Sequence, residues 1–169
     1  MRRLSDLPDA EAAAELRACC ASTRWVERML RQRPFKDRDE VFSSAERIWF
    51  DIEAEDWLEA FRAHPRIGEV RTTKGQAGHG KKGEAWSKAE QAGVGAADDA
   101  VRAELVKANR DYETRFGWIY IVCATGKTPG EMLALCRARL ANAPDAELKV
   151  AAIEQLKIIR LRLEKLLTV

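Results

Sequence analysis

From Pro144 onward the chain places apolar side chains at Leu148, Ala152, Leu156, Ile159, Leu163 and Leu166. Steps of three and four residues draw one stripe along an α-helix, and that stripe is a core face. Ile158 and Leu161 lie off it, so this helix has apolar groups on a second face, turned toward a partner chain or toward deep burial. The rest of the chain also reads as helix after helix. Segments 9–20, 25–33, 40–50 and 55–63 have helical patterning. Pro8 stands in the first turn of the first segment, Pro34 closes the second, and Pro65 stops the fourth. Helical spacing returns over 97–116 with Val101, Leu105, Ala108, Tyr112 and Phe116. Thr128-Pro129-Gly130-Glu131 has the cap, first-turn proline and third-position glutamate of a helix start, and that helix runs to about Asn142.

Two stretches resist this pattern. Gly75, Gly78, Gly80 and Gly83 crowd the lysine- and threonine-containing segment 68–83, which cannot build core and reads as a mobile loop. A loop this long in a compact domain is often functional. After Gly117, the run Trp118-Ile119-Tyr120-Ile121-Val122-Cys123-Ala124 is continuously apolar and rich in β-branched and aromatic residues. No second strand candidate exists to pair with it. It is therefore either the buried start of a helix or an extended segment.

With 169 residues, 46% hydrophobic and 33% charged, the chain suits one soluble domain spanning 1–169. Its formal charge of +2 gives no reason to expect nucleic acid or an anionic membrane as partner. No stretch approaches the roughly 20 apolar residues of a membrane span. No apolar run follows Met1-Arg2-Arg3, so a secretory signal is not expected. Cys19, Cys20, Cys123 and Cys136 form no CxxC pair and read as reduced, buried thiols of a cytoplasmic protein. His64 and His79 are the two histidines, so a structural zinc site is not expected either.

Four features can carry chemistry. His64 follows an amphipathic helix and precedes a proline that fixes the exit of the chain. By itself it suits a helix C-terminal cap with no catalytic duty before it suits a general acid/base. Ser87-x-x-Glu90 is a capping-box pattern, which marks a helix start. The same geometry would offer free N–H groups to an anion, with Glu90 and Gln91 alongside. Phe116-Gly117-Trp118 into Cys123 is either core packing or an apolar wall whose backbone recognises a flat heterocycle. Arg160 and Arg162 both suit snorkelling, and either could fork onto a carboxylate or oxo group.

Together these segments form an ordered set. Cys19-Cys20-Ala21-Ser22-Thr23-Arg24-Trp25, His64-Pro65-Arg66-Ile67-Gly68, Ser87-Lys88-Ala89-Glu90-Gln91, Phe116-Gly117-Trp118 through Gly126-Lys127-Thr128, and Arg160-Leu161-Arg162-Leu163 occur in that order. The set resembles the motifs of 2-oxo-4-hydroxy-4-carboxy-5-ureidoimidazoline (OHCU) decarboxylases across nearly the whole chain. The resemblance implies an all-α, single-domain bundle of about seven to nine helices, a homodimer, and no metal or organic cofactor. It also implies a cytoplasmic enzyme of urate breakdown that takes OHCU to (S)-allantoin and carbon dioxide with stereospecific protonation. The C-terminal Leu167-Thr168-Val169 lacks a peroxisomal signal, which agrees with that location. His64 would be the acid/base, while Glu90 would orient the substrate and assist proton handling. Ser87 and Gln91 would bind polar edges of the imidazoline, and Pro65 would shape the pocket. Backbone groups of Ile119, Ile121, Val122 and Cys123 would hold ureido or ring atoms. The Leu-Arg-Leu pattern favours Arg162 as substrate ligand over Arg160. A non-catalytic helical interaction module is the competing expectation, and it requires that His64 and Glu90 share no pocket.

Overall fold

The computed structural model describes residues 2–67, 82, 86 and 99–168. These contain eight helices: α1 (Arg2–Asp6), α2 (Asp9–Cys19), α3 (Thr23–Arg31), α4 (Arg38–Asp51), α5 (Ala54–Arg62), α6 (Asp99–Phe116), α7 (Pro129–Arg139) and α8 (Pro144–Thr168). No strand occurs among the described residues, as the helical patterning requires. None of these helices is long and apolar enough to cross a membrane. The short α1 has no counterpart in the sequence expectation. Its Leu4 is buried in the core, and its Ser5 Oγ accepts the Phe35 N–H at 3.1 Å.

Caps explain most of the helix boundaries. Helix α3 starts two residues before the expected Trp25, because Ser22 Oγ accepts the Trp25 N–H at 3.3 Å. Asp37 Oδ1 accepts the Glu40 N–H at 2.8 Å and starts α4. The capping box expected at Thr128 is present: Thr128 Oγ1 accepts from Glu131 N–H, and Glu131 Oε2 accepts from Thr128 N–H. Helix α7 ends at Arg139, and residues 140–142 form a turn instead of the expected last helical residues.

Two apolar clusters make the interior. The larger packs α2, α3, α4 and α5 against α8, with Trp25, Trp49, Ile159 and Leu163 fully buried. Of the predicted α8 stripe, Ala152, Leu156, Ile159, Leu163 and Leu166 are buried, and Leu148 is half-buried. The smaller cluster packs α6 against α7 around Leu105, Tyr112, Met132 and Cys136.

Residues 118–124 lie between the two clusters and belong to neither helix nor strand. Successive side chains of an extended chain point to opposite sides. Ile121 and Cys123 enter the larger cluster, while Tyr120, Val122 and Ala124 enter the smaller one. Both sides are buried, so the stretch reads as continuously apolar and its two-residue period stays hidden. Glycines bound it. Gly117 at φ +81° ends α6, and Gly126 at φ +78° closes the turn in which Lys127 N–H reaches Ala124 O at 3.0 Å. A Cβ on either glycine would meet nothing within 4 Å, so the requirement is the backbone conformation alone.

Candidate active site

His64 sits two residues beyond α5, with its N–H donating to Phe61 O at 3.0 Å. Its side chain is not a solvated cap. The residue is 7% exposed and lines a cleft with Pro65, Ile67, Ile158 and Leu161, walled by residues 120–125. The cavity enclosed between these side chains is small, about 20 Å³. Ile158 and Leu161 are the two apolar residues that lay off the α8 stripe, so this cleft accounts for the second face of that helix.

The His64 corner is pinned to α6. Arg66 makes a two-pronged ion pair with Glu113, Nε to Oε2 at 2.8 Å and Nη2 to Oε1 at 2.7 Å. That bond from Arg66 holds the Glu113 carboxyl below the usual carboxylate range. Asn109 Nδ2 donates to Ile67 O at 2.6 Å. Proline fixes one dihedral of the corner, and these bonds fix where it stands. Arg66, Asn109 and Glu113 have no individual sequence signature, because their partners lie 42 to 47 residues away.

The opposite wall carries a second set of unforeseen residues. An extended segment with no neighbouring strand must find other partners for its buried backbone groups. Here side chains supply them. Arg139 Nη1 donates to Ile121 O at 2.8 Å, Cys123 N–H donates to Glu154 Oε2 at 2.8 Å, and Lys127 Nζ donates to Cys123 O at 2.8 Å. Lys157 in turn pairs with Glu154. Burial works against the Glu154 charge, but the bonds from Lys157 and the Cys123 amide outweigh it and lower its pKa.

Arg139 belongs to a buried polar cluster. Its Nε donates to Glu147 Oε1 at 2.7 Å, and its guanidinium lies over the Tyr112 and Tyr120 rings at 5.7 and 4.9 Å. Tyr112 OH also donates to Glu147, and Asn142 Nδ2 donates to Glu147 Oε2 at 2.7 Å. Burial first, and then the bond to Glu147, raise the Tyr112 phenol above its ordinary value. Burial opposes the Arg139 charge, yet Glu147 and the two phenols keep its pKa above the ordinary value.

The other expected site residues divide into three groups. Pro65, Ile121, Val122 and Cys123 line the cleft with His64. Ile119 instead packs half-buried against the larger cluster. Arg162 and Arg160 part company completely. Arg162 is fully buried, with Nη1 donating to Ala18 O at 3.4 Å near the end of α2, and it is not among the described residues lining the cleft. Arg160 is exposed, 2.8 Å from Glu46 and above the Phe42 ring. Burial is therefore a property of Arg162 alone.

Ser87, Glu90 and Gln91 lie outside the described residues, as do His79 and nearly all of the expected loop. Lys82 and Trp86 are described, and both are helical. The i,i+4 spacing brings Lys82 Nζ over the Trp86 ring at 5.2 Å, with Lys165 Nζ at 5.9 Å. The helix start expected at Ser87 itself lies outside the described residues.

All four cysteines are free and buried. Burial pushes the Cys20 and Cys136 thiols up to about 12, which leaves them unreactive at neutral pH. Among the described residues no group of three His, Cys, Asp or Glu side chains could hold a metal ion.

This architecture has known relatives. The OHCU decarboxylase family matches residues 5–164. The uric acid degradation bifunctional protein TTL of Arabidopsis thaliana is 36% identical over 154 residues, which cover 90% of this chain and 46% of that protein. The 2-oxo-4-hydroxy-4-carboxy-5-ureidoimidazoline decarboxylase of Haloferax volcanii is 32% identical over 143 residues, 82% of this chain and 79% of that protein. A crystal structure of an OHCU decarboxylase in the presence of (S)-allantoin superposes with a TM-score of 0.78 at 34% identity, covering 92% of this chain and 99% of that one. The chain therefore spans under half the length of the plant relative and almost all of the solved decarboxylase. By sequence along most of its length, and by fold, the chain belongs to the OHCU decarboxylase family.

Proposed function

We propose that this chain decarboxylates OHCU to (S)-allantoin and carbon dioxide, with His64 as the acid/base. The observation that carries this reading is the placement of His64. A sheltered imidazole lines a cleft together with residues 120–125, in a chain of this family.

The chemistry suits such a site. Loss of carbon dioxide leaves an electron pair on the former carboxyl-bearing carbon, conjugated with the adjacent ring. The substrate carries its own electron-accepting groups, so no separate electron sink is called for. The protein has to hold the carboxylate out of the ring plane, stabilise the developing enolate-like charge, and deliver a proton to one face. His64 and residues 120–125 line the same cleft. A flat ring held against that wall would present one face to the imidazole, which gives a single enantiomer.

The family motif assigns the remaining roles. Glu90 orients the substrate and assists the proton, Ser87 and Gln91 bind polar ring edges, and Pro65 shapes the pocket. Open backbone groups of the wall hold ureido or ring atoms. Arg162 meets the carboxylate or an oxo group. The reading includes a homodimer acting in the cytoplasm.

The test is direct. OHCU is generated from urate with the two upstream enzymes, the chain is added, and the optical signal of allantoin is followed. The wild-type chain should accelerate formation of one enantiomer over spontaneous decay. His64→Ala should lose that acceleration, by roughly 10²- to 10⁴-fold for a positioned acid/base, while keeping its helical circular dichroism. A wild-type chain with no acceleration overturns the function, and an active His64→Ala overturns the role of His64.

A further inference from the structure

Glu154, Ile158 and Leu161 follow one another at steps of four and three on α8, so they share a face. Ile158 and Leu161 line the cleft, and Glu154 takes the Cys123 amide from the wall that closes it. One helix face thus supplies both the apolar floor and the point at which the wall is fastened.

We infer that Glu154 is a positioning residue of this site: by accepting the Cys123 N–H it sets the stand-off of the 120–125 wall from His64. This deepens the proposed decarboxylation and rests on it. Three observations carry it. The segment has no strand beside it among the described residues, so its place is not set by a ladder. Both backbone groups of Cys123 are taken by ionised side chains, the N–H by Glu154 and the C=O by Lys127, each at 2.8 Å. Charge-assisted bonds of this kind are about twice as strong as neutral ones. Finally, the Glu154 side chain is only 12% exposed and is held from behind by Lys157, so the acceptor is fixed in place.

Glu154 touches the wall and acts on the substrate only through it. Its loss would leave the cleft residues in place but let the wall drift. Small displacements of a bound reactant carry large rate penalties. The effect therefore falls on turnover and on the face that is protonated, more than on KM.

The experiment compares Glu154→Ala with Glu154→Gln. Glutamine keeps an amide oxygen at the same reach and can still accept from Cys123; alanine cannot. Glu154→Ala should lower kcat roughly 10-fold with less change in KM, and it should erode the enantiomeric excess of the product. Glu154→Gln should return to within about two-fold of wild type, a residue of lost charge assistance. Amide hydrogen exchange at Cys123 is the readout that needs no substrate: it should quicken in Glu154→Ala and stay near wild type in Glu154→Gln. Wild-type kcat and enantiomeric excess in Glu154→Ala, or unchanged exchange at Cys123, would overturn the inference. If the wild-type chain accelerates nothing, the proposed function falls and takes the catalytic part of the inference with it. Exchange at Cys123 still decides whether the clamp exists.

Discussion

The two clusters on either side of the extended segment are built from different materials. The larger is mostly apolar: its indole N–H groups bond to helix carbonyls, and the buried Arg162 beside it donates to Ala18 O. Trp25 Nε1 reaches Ala45 O at 3.1 Å, Trp49 Nε1 reaches Ala152 O at 2.9 Å, and Trp57 Nε1 reaches Trp49 O at 2.7 Å. The smaller cluster packs the Tyr112 and Tyr120 rings against Arg139, with Glu147 fully buried beside it. The difference follows from what each must accommodate. Helices satisfy their own backbones, so a core made of helices can be dry. The segment 118–124 cannot satisfy its own backbone, and Arg139 enters the smaller cluster to meet the Ile121 carbonyl. Glu147, Tyr112 and Asn142 are then needed to support a buried guanidinium.

This contrast predicts very different responses to one cut on each side. Glu147→Ala strands the Arg139 charge in the interior, and removing one partner of a buried pair costs about 3–5 kcal/mol. Urea unfolding should show that loss, and it should also show Arg139→Met/Glu147→Leu recovering part of it, since the double variant removes both charges. A Glu147→Ala chain within about 1 kcal/mol of wild type would mean that the guanidinium finds water, and the buried cluster would not be one unit. Ile159→Val in the larger cluster removes one methylene from a fully buried side chain. It should cost about 0.5–1.5 kcal/mol in the same measurement. A larger loss there would mean that the apolar core is the less tolerant of the two.

Legibility in the sequence follows the same division. The helices were readable because caps and three-to-four spacings are local: Thr128 with Glu131, or Ile159 with Leu163. The α3 start was missed by two residues because Ser22 caps from inside a cysteine- and alanine-rich stretch with no turn residue before it. Segment 118–124 stayed ambiguous because burial on both sides erases the alternation that marks a strand. Its supports could not be read at all. Arg139 lies 18 residues from Ile121, and Glu154 lies 31 from Cys123, in helices whose own patterns are complete without them. His64 was legible as a fixed corner after a helix, but its burial in the cleft was not. Arg66 and Glu113, which pin that corner, are ordinary charged residues until the fold pairs them. The Ser87 motif lies outside the described residues, so its reading rests on the local pattern alone.

The smallest effect is expected at the seam itself, where the two kinds of core meet. Burial raises the Glu154 pKa while Lys157 and the Cys123 amide lower it, and only the difference reaches stability. The net direction is downward from the ordinary 4.5. A carboxyl depressed in the folded state stabilises fully above its unfolded value, and that contribution disappears as pH falls through the folded one. Stability should therefore hold from neutrality down to about pH 5 and decline below it, as far as this group is concerned. Glu113 shares the direction through Arg66, and Glu131 through its bonds with Thr128, so the acid decline of the wild type is a joint one. Glu154→Gln should make that decline shallower without abolishing it, as read by urea midpoints at steps between about pH 3 and pH 7. An acid limb that superimposes on wild type would place Glu154 outside the fold's ionic support. The bond from the Cys123 N–H would then hold the wall without help from the carboxylate charge, and the seam would rest on hydrogen bonding instead of ion pairing.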